Sequence, residues 1–324
     1  MIYRHIRNPH TCGIRAYKHH IADAIIQYAH IRVNTLCLTR HFDGVARFCF
    51  VQHCWRGVDI THVIIIRHNP YPFLLSLHKK KIIMSDSVFH RSRLLLGDDG
   101  MDALAKARVI VFGIGGVGSW CVESLVRTGL RNITIVDSDS VCDSNINRQL
   151  MATATTIGRV KVDVMADRIR EINPACNVTA MHQFYNEQTA PSFGLENYDY
   201  VIDAIDSLKD KAALILHATS IPGVKLFSSM GAALKLDATR IDVTEFWKVQ
   251  GCPLAAALRR RFKKDGRFPR RKFKCVYSPE LVKNKDLATD TTERANGSLS
   301  HITGIFGLTL ASLVIQDILS RNNT

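Results

Sequence analysis

The chain has 324 residues, of which 46% are hydrophobic and 22% charged, a balance typical of a folded globular protein. This composition excludes a chain that is disordered throughout and a collagen-like fibre. Lysine and arginine exceed the acidic residues by 14, and this excess favours a polyanionic partner such as nucleic acid. The nine cysteines include no Cys-x-x-Cys pair, which argues against a zinc ribbon or thioredoxin-type motif and favours free thiols in a reducing compartment.

Residues 1–83 differ in composition from the rest of the chain. They hold ten of the fourteen histidines and twelve lysines and arginines, against three aspartates and no glutamate. They show no sustained helical or strand period and do not match a Ser-rich, amphipathic transit peptide. We expect the functional protein to begin at Met84, with residues 1–83 unstructured or not part of it. An intact mass of the native protein that matches the whole chain would contradict this expectation.

From residue 107 onward, short apolar runs alternate with amphipathic stretches. The predicted elements are, in chain order, a strand over 108–112, a helix over 117–128, strands over 132–136, a helix over 160–172, and strands over 198–202, 224–230 and 239–243. Strands that alternate with crossover helices build a parallel sheet. The fold class is therefore α/β, with a Rossmann-like doubly wound sheet over 84–324 and a C-terminal extension.

Two stretches near the C-terminus have unusual composition. Residues 259–274, here called the basic segment, contain ten basic residues, one acid and three phenylalanines, and we expect a loop or a structure induced by a partner. Residues 295–316 carry no Asp, Glu, Lys or Arg, but their glycines and polar residues make a poor membrane span. We expect a buried helix of the core or of a dimer there, in preference to a membrane anchor.

A glycine-rich turn follows the first of these strands and opens a helix. In Gly113-Ile-Gly-Gly-Val-Gly118 the four glycines, Gly113, Gly115, Gly116 and Gly118, permit a tight turn and a close approach of the backbone to a phosphate at the helix N-terminus. Asp137 ends the next strand, nineteen residues after Gly118, where a carboxylate can bind a ribose. Taken alone, this pair would indicate a dinucleotide site for NAD.

The residues that follow favour a triphosphate over NAD. Asn145 and Arg148 come just after Asp137, and Lys161 begins the next helix, so that a polar side chain and two cations surround the nucleotide. Asp203 and Asp206 end the strand over 198–202, at the sheet edge where open α/β folds bind ligands. Mg²⁺ takes one or two carboxylates plus phosphate oxygens, so Asp206 is the stronger metal candidate and Asp203 the weaker, with helix capping as the alternative role of Asp206.

Five motifs, in this order, resemble the ThiF/MoeB-type adenylating proteins, which are related to ubiquitin-activating enzymes. They are Gly113-x-Gly-Gly-x-Gly118, Val136-Asp-Ser-Asp-x-Val141, Ser144-Asn-x-Asn-Arg-Gln149, Gly158-x-x-Lys161 and Asp203-x-x-Asp-Ser207. The resemblance implies ATP and Mg²⁺ as cofactors, with the ribose on Asp137, the phosphates on Asn145, Arg148 and Lys161, and the magnesium on Asp206. It implies Arg148, Lys161 and Arg91 as catalytic residues, with Arg91 reaching into the site of a partner subunit, and hence a homodimer.

Within that family the chain is similar to the tRNA threonylcarbamoyladenosine dehydratase group, over about residues 88–319. The signals are Gly113-Ile-Gly-Gly-Val-Gly-Ser-Trp120, Ile169-Arg-x-Ile-Asn-Pro174, Tyr200-Val-Ile-Asp-Ala-Ile-Asp-Ser207 and Pro253-Leu-Ala-Ala-x-Leu-Arg259. The resemblance implies a cytoplasmic enzyme that cyclises threonylcarbamoyladenosine beside the anticodon of tRNA, with ATP-driven loss of water through an acyl-adenylate. The basic segment suits that substrate, because cations neutralise phosphates and aromatic rings stack on unpaired bases. The expected tRNA contacts are Arg259, Arg260, Arg261, Lys263, Lys264, Arg270, Arg271 and Lys272.

Two other functions stay open at this point. The first is an adenylating enzyme that activates the C-terminus of a sulfur-carrier or ubiquitin-like protein, with Cys275 as a thioester or sulfur-relay nucleophile and a sulfur-relay protein as partner. The second is a non-catalytic nucleotide-binding scaffold. The zinc cysteines of MoeB-like members are absent, which favours the dehydratase, whereas Ser228-Ser-Met230 stands where a Thr/Gly-rich turn is expected.

Overall fold

A computed structural model describes residues 40–42, 46–51, 61–68, 71–78, 86–285 and 296–322. The chain divides into two compact units, residues 1–83 and 84–324.

The described part of the first unit is an antiparallel sheet of four strands in the order β1-β2-β3-β4. The strands are β1 (Arg40–Phe42), β2 (Ala46–Val51), β3 (Thr61–His68) and β4 (Tyr71–His78). The sequence does not predict these strands, because residues 1–83 show no sustained strand period. That residues 1–83 are not part of the functional protein stays a prediction.

The second unit carries a seven-stranded sheet with helices on both faces. Its elements are α1 (His90–Lys106), β5 (Arg108–Phe112), α2 (Gly118–Thr128), β6 (Asn132–Val136), α3 (Lys161–Ile172), β7 (Asn177–Met181), β8 (Tyr200–Asp203), α4 (Leu208–Ser220), β9 (Lys225–Ser229), β10 (Asp242–Glu245), α5 (Pro253–Asp265), β11 (Lys274–Tyr277) and α6 (Ser300–Asn322). The strand order is β10-β11-β9-β8-β5-β6-β7, and every neighbouring pair is parallel except β10 with β11. The predicted Rossmann-like doubly wound α/β sheet is confirmed.

The basic segment is where the sequence prediction is wrong. Its first seven residues, together with the six before them, form helix α5, and its last residue begins strand β11. The helix forms because Ala255, Leu258 and Phe262 recur at helical spacing and are buried, while lysine and arginine are good helix formers on the exposed face. Ten of the sixteen residues in the basic segment are Lys or Arg, so an interpretation based on charge alone does not detect the apolar stripe.

Helix α6 runs along the core on one face of the sheet. Its apolar side chains Ile302, Phe306 and Leu310 are fully buried, as the expectation of a core helix predicts. Among the described residues, only the helical stretch Ser300–Arg321 is long and apolar enough to cross a membrane. Of an apolar 18-residue part of this stretch, 56% is buried inside the fold. Such burial is typical of a core helix that is as long and as apolar as a membrane span.

Candidate active site

The glycine-rich turn connects β5 to α2 at the carboxyl edge of the sheet. Gly113 has φ 86°, and a Cβ atom there would lie 2.6 Å from the carbonyl oxygen of Ala204. A Cβ at Gly118 would lie 1.8 Å from the carbonyl oxygen of Gly113. Only glycine fits either position, so the turn is built for close backbone packing and presents the N-terminus of α2 at the sheet edge.

Asp137 follows β6 and holds this turn in place. Its two carboxylate oxygens accept hydrogen bonds from the backbone N–H of Ile114, at 2.6 Å, and of Asp139, at 2.9 Å. Burial raises the pKa of the Asp137 carboxyl, and the nearby charge of Lys161 opposes that rise. A carboxylate accepts about four hydrogen bonds, so Asp137 retains capacity for a ribose hydroxyl.

Lys161 begins α3 and is a buried cation beside Asp137. Its side chain is 6% exposed and its Nζ lies 2.8 Å from Oδ2 of Asp139, whose side chain is 64% exposed. The backbone N–H of Lys161 also donates to the carbonyl of Asp139. Sequence reasoning missed Asp139 as the partner of Lys161, although its place in Val136-Asp-Ser-Asp could have indicated it.

Asn145 and Arg148 occupy a short turn next to the glycine-rich loop. The buried Asn145 accepts a hydrogen bond from the backbone N–H of Cys142. Nη1 of Arg148 donates to the carbonyl of Ser144 and to Oδ1 of Asn147, each at 2.9 Å. Cγ of Arg148 lies 3.3 Å from the Cβ position of Gly116, so the arginine lines the loop.

Gln149 is a second residue that sequence reasoning missed. Its side chain is buried, and its Oε1 has no hydrogen-bond partner among the described residues. Its Nε2 lies 3.8 Å from the Cβ position of Gly115. An unpaired buried amide oxygen costs about 1–3 kcal/mol, which makes Gln149 a candidate to meet a ligand at the loop.

The two aspartates after β8 have opposite environments. Asp203 is fully buried, and its Oδ2 lies 2.9 Å from Nζ of Lys211. The same oxygen accepts a hydrogen bond of 2.6 Å from the hydroxyl of Ser228. Asp206 is exposed. The weaker magnesium candidate is therefore excluded, because the carboxylate of Asp203 is committed to a buried ion pair. Asp206 stays the candidate.

No group of three or more His, Cys, Asp and Glu side chains that could hold a metal lies within residues 88–285 and 296–321. A metal held by protein ligands alone therefore does not fit this edge. Mg²⁺ commonly takes one or two carboxylates and completes its shell with phosphate oxygens and water. The single exposed carboxylate of Asp206 fits that mode.

Arg91 and the basic segment are not brought together with these residues. Arg91 lies on the exposed first turn of α1, before the kink at Gly97, and Leu94 and Leu95 beside it are 71% and 87% exposed. The basic segment ends at β11, which runs parallel to β9, so its last residues lie at the amino edge of the sheet. The nucleotide residues lie at the carboxyl edge.

The cations of the basic segment differ in their partners. The guanidinium of Arg271 donates to the carbonyls of Ala218, Thr219 and Ile221, and so caps the C-terminus of α4. Arg259 donates to the carbonyl of Phe246 and lies over its ring, and Arg261 pairs with Asp265. Five of the predicted tRNA contacts are exposed cations whose side chains have no such bond among the described residues: Arg260, Lys263, Lys264, Arg270 and Lys272.

The cysteine that the carrier-protein alternative requires is fully buried in β11. Burial raises the pKa of the Cys275 thiol well above its usual value, and the charge of Lys211 opposes this only in part. A thiolate nucleophile needs the reverse, a lowered pKa and an accessible sulfur atom. Cys275 is therefore a packing residue in this fold.

The model of the ThiF family matches residues 89–324. Two proteins called tRNA threonylcarbamoyladenosine dehydratase are similar to it: that of Escherichia coli, 42% identical over 62% of this chain and 78% of its own length, and that of Bacillus subtilis, 35% identical over 71% and 94%. A crystal structure of the E. coli dehydratase TcdA in complex with ATP is 36% identical, with a TM-score of 0.65 over 74% of this chain and 98% of its own.

Proposed function

This chain belongs to the ThiF family, and we propose that it is an ATP-dependent tRNA threonylcarbamoyladenosine dehydratase, as the resemblance of its motifs implies. The observation that carries the proposal is the convergence at one sheet edge of a glycine-rich turn, Asp137, and the cations Arg148 and Lys161. ATP binding is supported by the solved complexes of the similar TcdA with ATP and with AMP.

The reaction has two steps on one carboxylate. The carboxylate of the threonylcarbamoyl group attacks the α-phosphorus of ATP, which forms an acyl-adenylate and releases pyrophosphate. A nitrogen or oxygen of the carbamoyl unit then attacks the activated carbonyl carbon, which closes the ring, expels AMP and loses a proton. The sum is loss of one water from the nucleoside, with ATP converted to AMP and pyrophosphate.

The residues of the edge position the nucleotide and neutralise its charge. Asp137 binds the ribose, while the turn from Gly113 to Gly118 and the N-terminus of α2 approach the phosphates. Asn145, Arg148 and Lys161 hold the phosphates as negative charge moves onto the leaving pyrophosphate. Lys161 is suited to this role because its partner Asp139 fixes its position.

Mg²⁺ is part of the proposal, with Asp206 as its protein ligand. When bound, the ion would offset negative charge on the phosphate oxygens. Asp206 is suited to hold it because it is exposed at the edge and does not share the ion pair of Asp203.

The tRNA is proposed to bind the exposed cations of the basic segment. Arg260, Lys263, Lys264, Arg270 and Lys272 keep this role. Arg271 is given to the cap of α4, and Arg259 and Arg261 have partners within the fold. Contacts with phosphates supply affinity that falls steeply as salt rises.

A homodimer is proposed because Arg91 has no place in the site of its own chain. The exposed Leu94 and Leu95 beside it favour burial against another subunit. An arginine inserted in this way can contribute about 10³ to 10⁵ in rate in related phosphoryl chemistry.

Mixing two inactive variants tests whether Arg91 acts in trans. Arg91→Ala and Lys161→Ala are each expected to keep at most about 1% of wild-type activity. Their equimolar mixture should regain about one quarter of wild-type activity after subunit exchange, because half of the dimers are mixed and each holds one complete site. A mixture that stays inactive after exchange, shown by mass spectrometry of tagged subunits, would contradict the role in trans.

Two further proposals concern partners and location. A sulfur-relay protein is proposed as a further partner, which would dock without using the buried Cys275. A cytoplasmic location follows from a tRNA substrate.

The deciding experiment incubates the full chain with ATP, magnesium and tRNA that carries threonylcarbamoyladenosine. Nucleotide products and the mass of the digested nucleoside are measured together. Loss of one water with matching formation of AMP is expected, and tRNA without the modification is the control. An unchanged nucleoside, with pyrophosphate exchange supported by the C-terminus of a carrier protein, would favour the adenylating alternative.

A further inference from the structure

A pocket of about 580 Å³ lies on the flank of the second unit, apart from the nucleotide residues. Its volume is within the range of small-ligand sites. The side chains that matter for its chemistry are Tyr185, Glu187, His217, Arg267, Phe268 and Arg270.

The pocket is lined on one side by a loop that begins beside the nucleotide site. His182, at the start of the loop that lines it, has Nε2 at 2.7 Å from the carbonyl oxygen of Ser138, the residue after Asp137. Three residues span at most about 11 Å, so Tyr185 begins the pocket within that distance of His182. The ring of Tyr185 packs edge-on against Phe112, the last residue of β5, with 4.9 Å between centroids.

The charges of the pocket favour an anion at its rim. Arg270 uses its backbone N–H to bond Thr219, and its guanidinium has no hydrogen-bond or ion-pair partner among the described residues. Arg267 is paired with Glu187 at 2.6 Å. The unpaired guanidinium of Arg270 can bind a phosphate in a bidentate manner, through two parallel N–H···O hydrogen bonds.

The floor of the pocket is a neutral pair of hydrogen-bonding groups. The hydroxyl of Tyr185 lies 3.0 Å from Nδ1 of His217. Burial lowers the pKa of the His217 imidazole and raises that of the Tyr185 phenol, so both are uncharged near neutral pH. Such a pair can face the donors and acceptors on the edge of a base.

Phe268, which lines the pocket, is near a second exposed aromatic ring. Phe268 is 51% exposed and Trp247 is 40% exposed, with 6.3 Å between their ring centroids. Aromatic rings that face solvent beside cations are the usual platforms for unpaired bases.

We propose that this pocket holds one unpaired nucleotide of the tRNA, with its base stacked on Phe268, its phosphate on Arg270 and its base edge toward Tyr185 and His217. The proposal rests on the proposed function and deepens it, since it adds a base-binding subsite on the flank of the same unit.

The first test measures binding of a fluorescent anticodon stem-loop RNA to the full chain. Phe268→Ala should weaken binding about 5- to 100-fold, because stacking is lost, while Phe268→Trp retains it. Phe184→Ala is the matched control, because Phe184 is also 51% exposed and does not line the pocket. Affinity for ATP should be unchanged in all three. Equal RNA binding by Phe268→Ala and wild type would overturn the proposal.

A scan with abasic RNA identifies the nucleotide. Each loop position is made abasic in turn and tested with wild type and with Phe268→Ala. At one position the abasic change should cost affinity in wild type and nothing further in the variant, which is the non-additivity of two groups in contact. Additive losses at every position would show that no base stacks on Phe268.

A free nucleotide is the other source of the same chemistry. AMP is titrated against wild type and Phe268→Ala, and its stoichiometry is measured by calorimetry. A second AMP site that Phe268→Ala removes, with RNA binding unchanged, would assign the pocket to a free nucleotide and overturn the tRNA assignment. If wild type dehydrates tRNA and Phe268→Ala matches its KM, only the pocket proposal fails. If wild type does not act on tRNA, the proposed function fails as well.

Discussion

The nucleotide site and the basic segment are two charged regions of one fold that hold their charges in opposite ways. At the carboxyl edge, Lys161 and Lys211 are buried and each is paired with an aspartate. In the basic segment, Lys263 and Lys264 are exposed. The first region fixes a few charges in place, and the second leaves several charges free in solvent.

The difference follows from what each region must bind. A buried charge acts strongly over a short distance at a fixed position, which suits phosphates that change charge during a reaction. Exposed charges are screened by salt and act together, which suits the extended phosphate backbone of an RNA. The comparison predicts that single changes matter at the first region and that sets of changes matter at the second.

The largest effect is expected from breaking the buried pair beneath the carboxyl edge. Lys211→Met leaves Asp203 buried without its partner, and the free energy of unfolding should fall by about 3–5 kcal/mol, measured by urea denaturation. Arg170→Met is the control, because its ion pair with Asp167 is exposed and should be worth less than about 1 kcal/mol. Equal losses in the two variants would remove the contrast between buried and exposed charge.

The next effect concerns catalysis at the same edge. Lys161→Ala should lower kcat/KM for ATP by about 10² to 10³, because a preorganised charge on the phosphates is lost. Dehydration of the modified tRNA with AMP release gives the rate, and exposed Lys106→Ala serves as the control for loss of one lysine. An unchanged rate in Lys161→Ala would place the phosphates elsewhere.

The basic segment requires several changes at once. Replacement of Arg260, Lys263 and Lys264 by alanine should weaken tRNA binding about 10- to 100-fold at moderate salt, and reduce the slope of log affinity against log salt by about 2–3. The rate at saturating tRNA should not change. The control removes three exposed cations outside the segment, Lys106, Arg131 and Arg170; an equal effect there would mean that net charge alone attracts the RNA.

The smallest effect separates Arg271 from its neighbours. Arg271→Ala removes the cap on α4, and the protein should lose about 1 kcal/mol, or about 2–4 °C in Tm, while tRNA affinity holds. Lys272→Ala, the adjacent exposed cation, is the control. Weaker tRNA binding by Arg271→Ala with an unchanged Tm would return Arg271 to the RNA contacts that the sequence predicts.

The sequence predicts the sheet and its site well, because both rest on local patterns. The strand over 108–112, the glycine-rich turn and the position of Asp137 follow from short-range spacing, and the structure has each of them. Strand β7 and helix α4 were not predicted. β7 is only partly buried and has a weak apolar pattern, whereas α4 buries the charged Asp210 and Lys211 beside its apolar residues, which obscures an amphipathic pattern.

The parts that the sequence does not predict depend on partners far away in the chain. Asp203 and Asp206 lie three residues apart, and the sequence alone does not show that Ser228 and Lys211 hold Asp203 in a buried ion pair. Arg271 looks like its basic neighbours until the end of α4 is placed against it. Spacing and composition carry no information on such contacts.

The contact between the start of α6 and the glycine-rich turn also bears on how the protein is made. The start of α6 packs against the nucleotide site, where Thr303 lies 3.2 Å from the Cβ position of Gly116. Just before α6, the carbonyl of Ser298 accepts a hydrogen bond from the side chain of Asn147, which is 151 residues earlier in the chain. Ribosomes add about 5–20 residues per second, so about 8–30 s separate the synthesis of the two partners. During that interval the nascent chain has the glycine-rich turn but lacks the residues of α6 that pack against it. Tight ATP binding is therefore expected only once α6 has emerged.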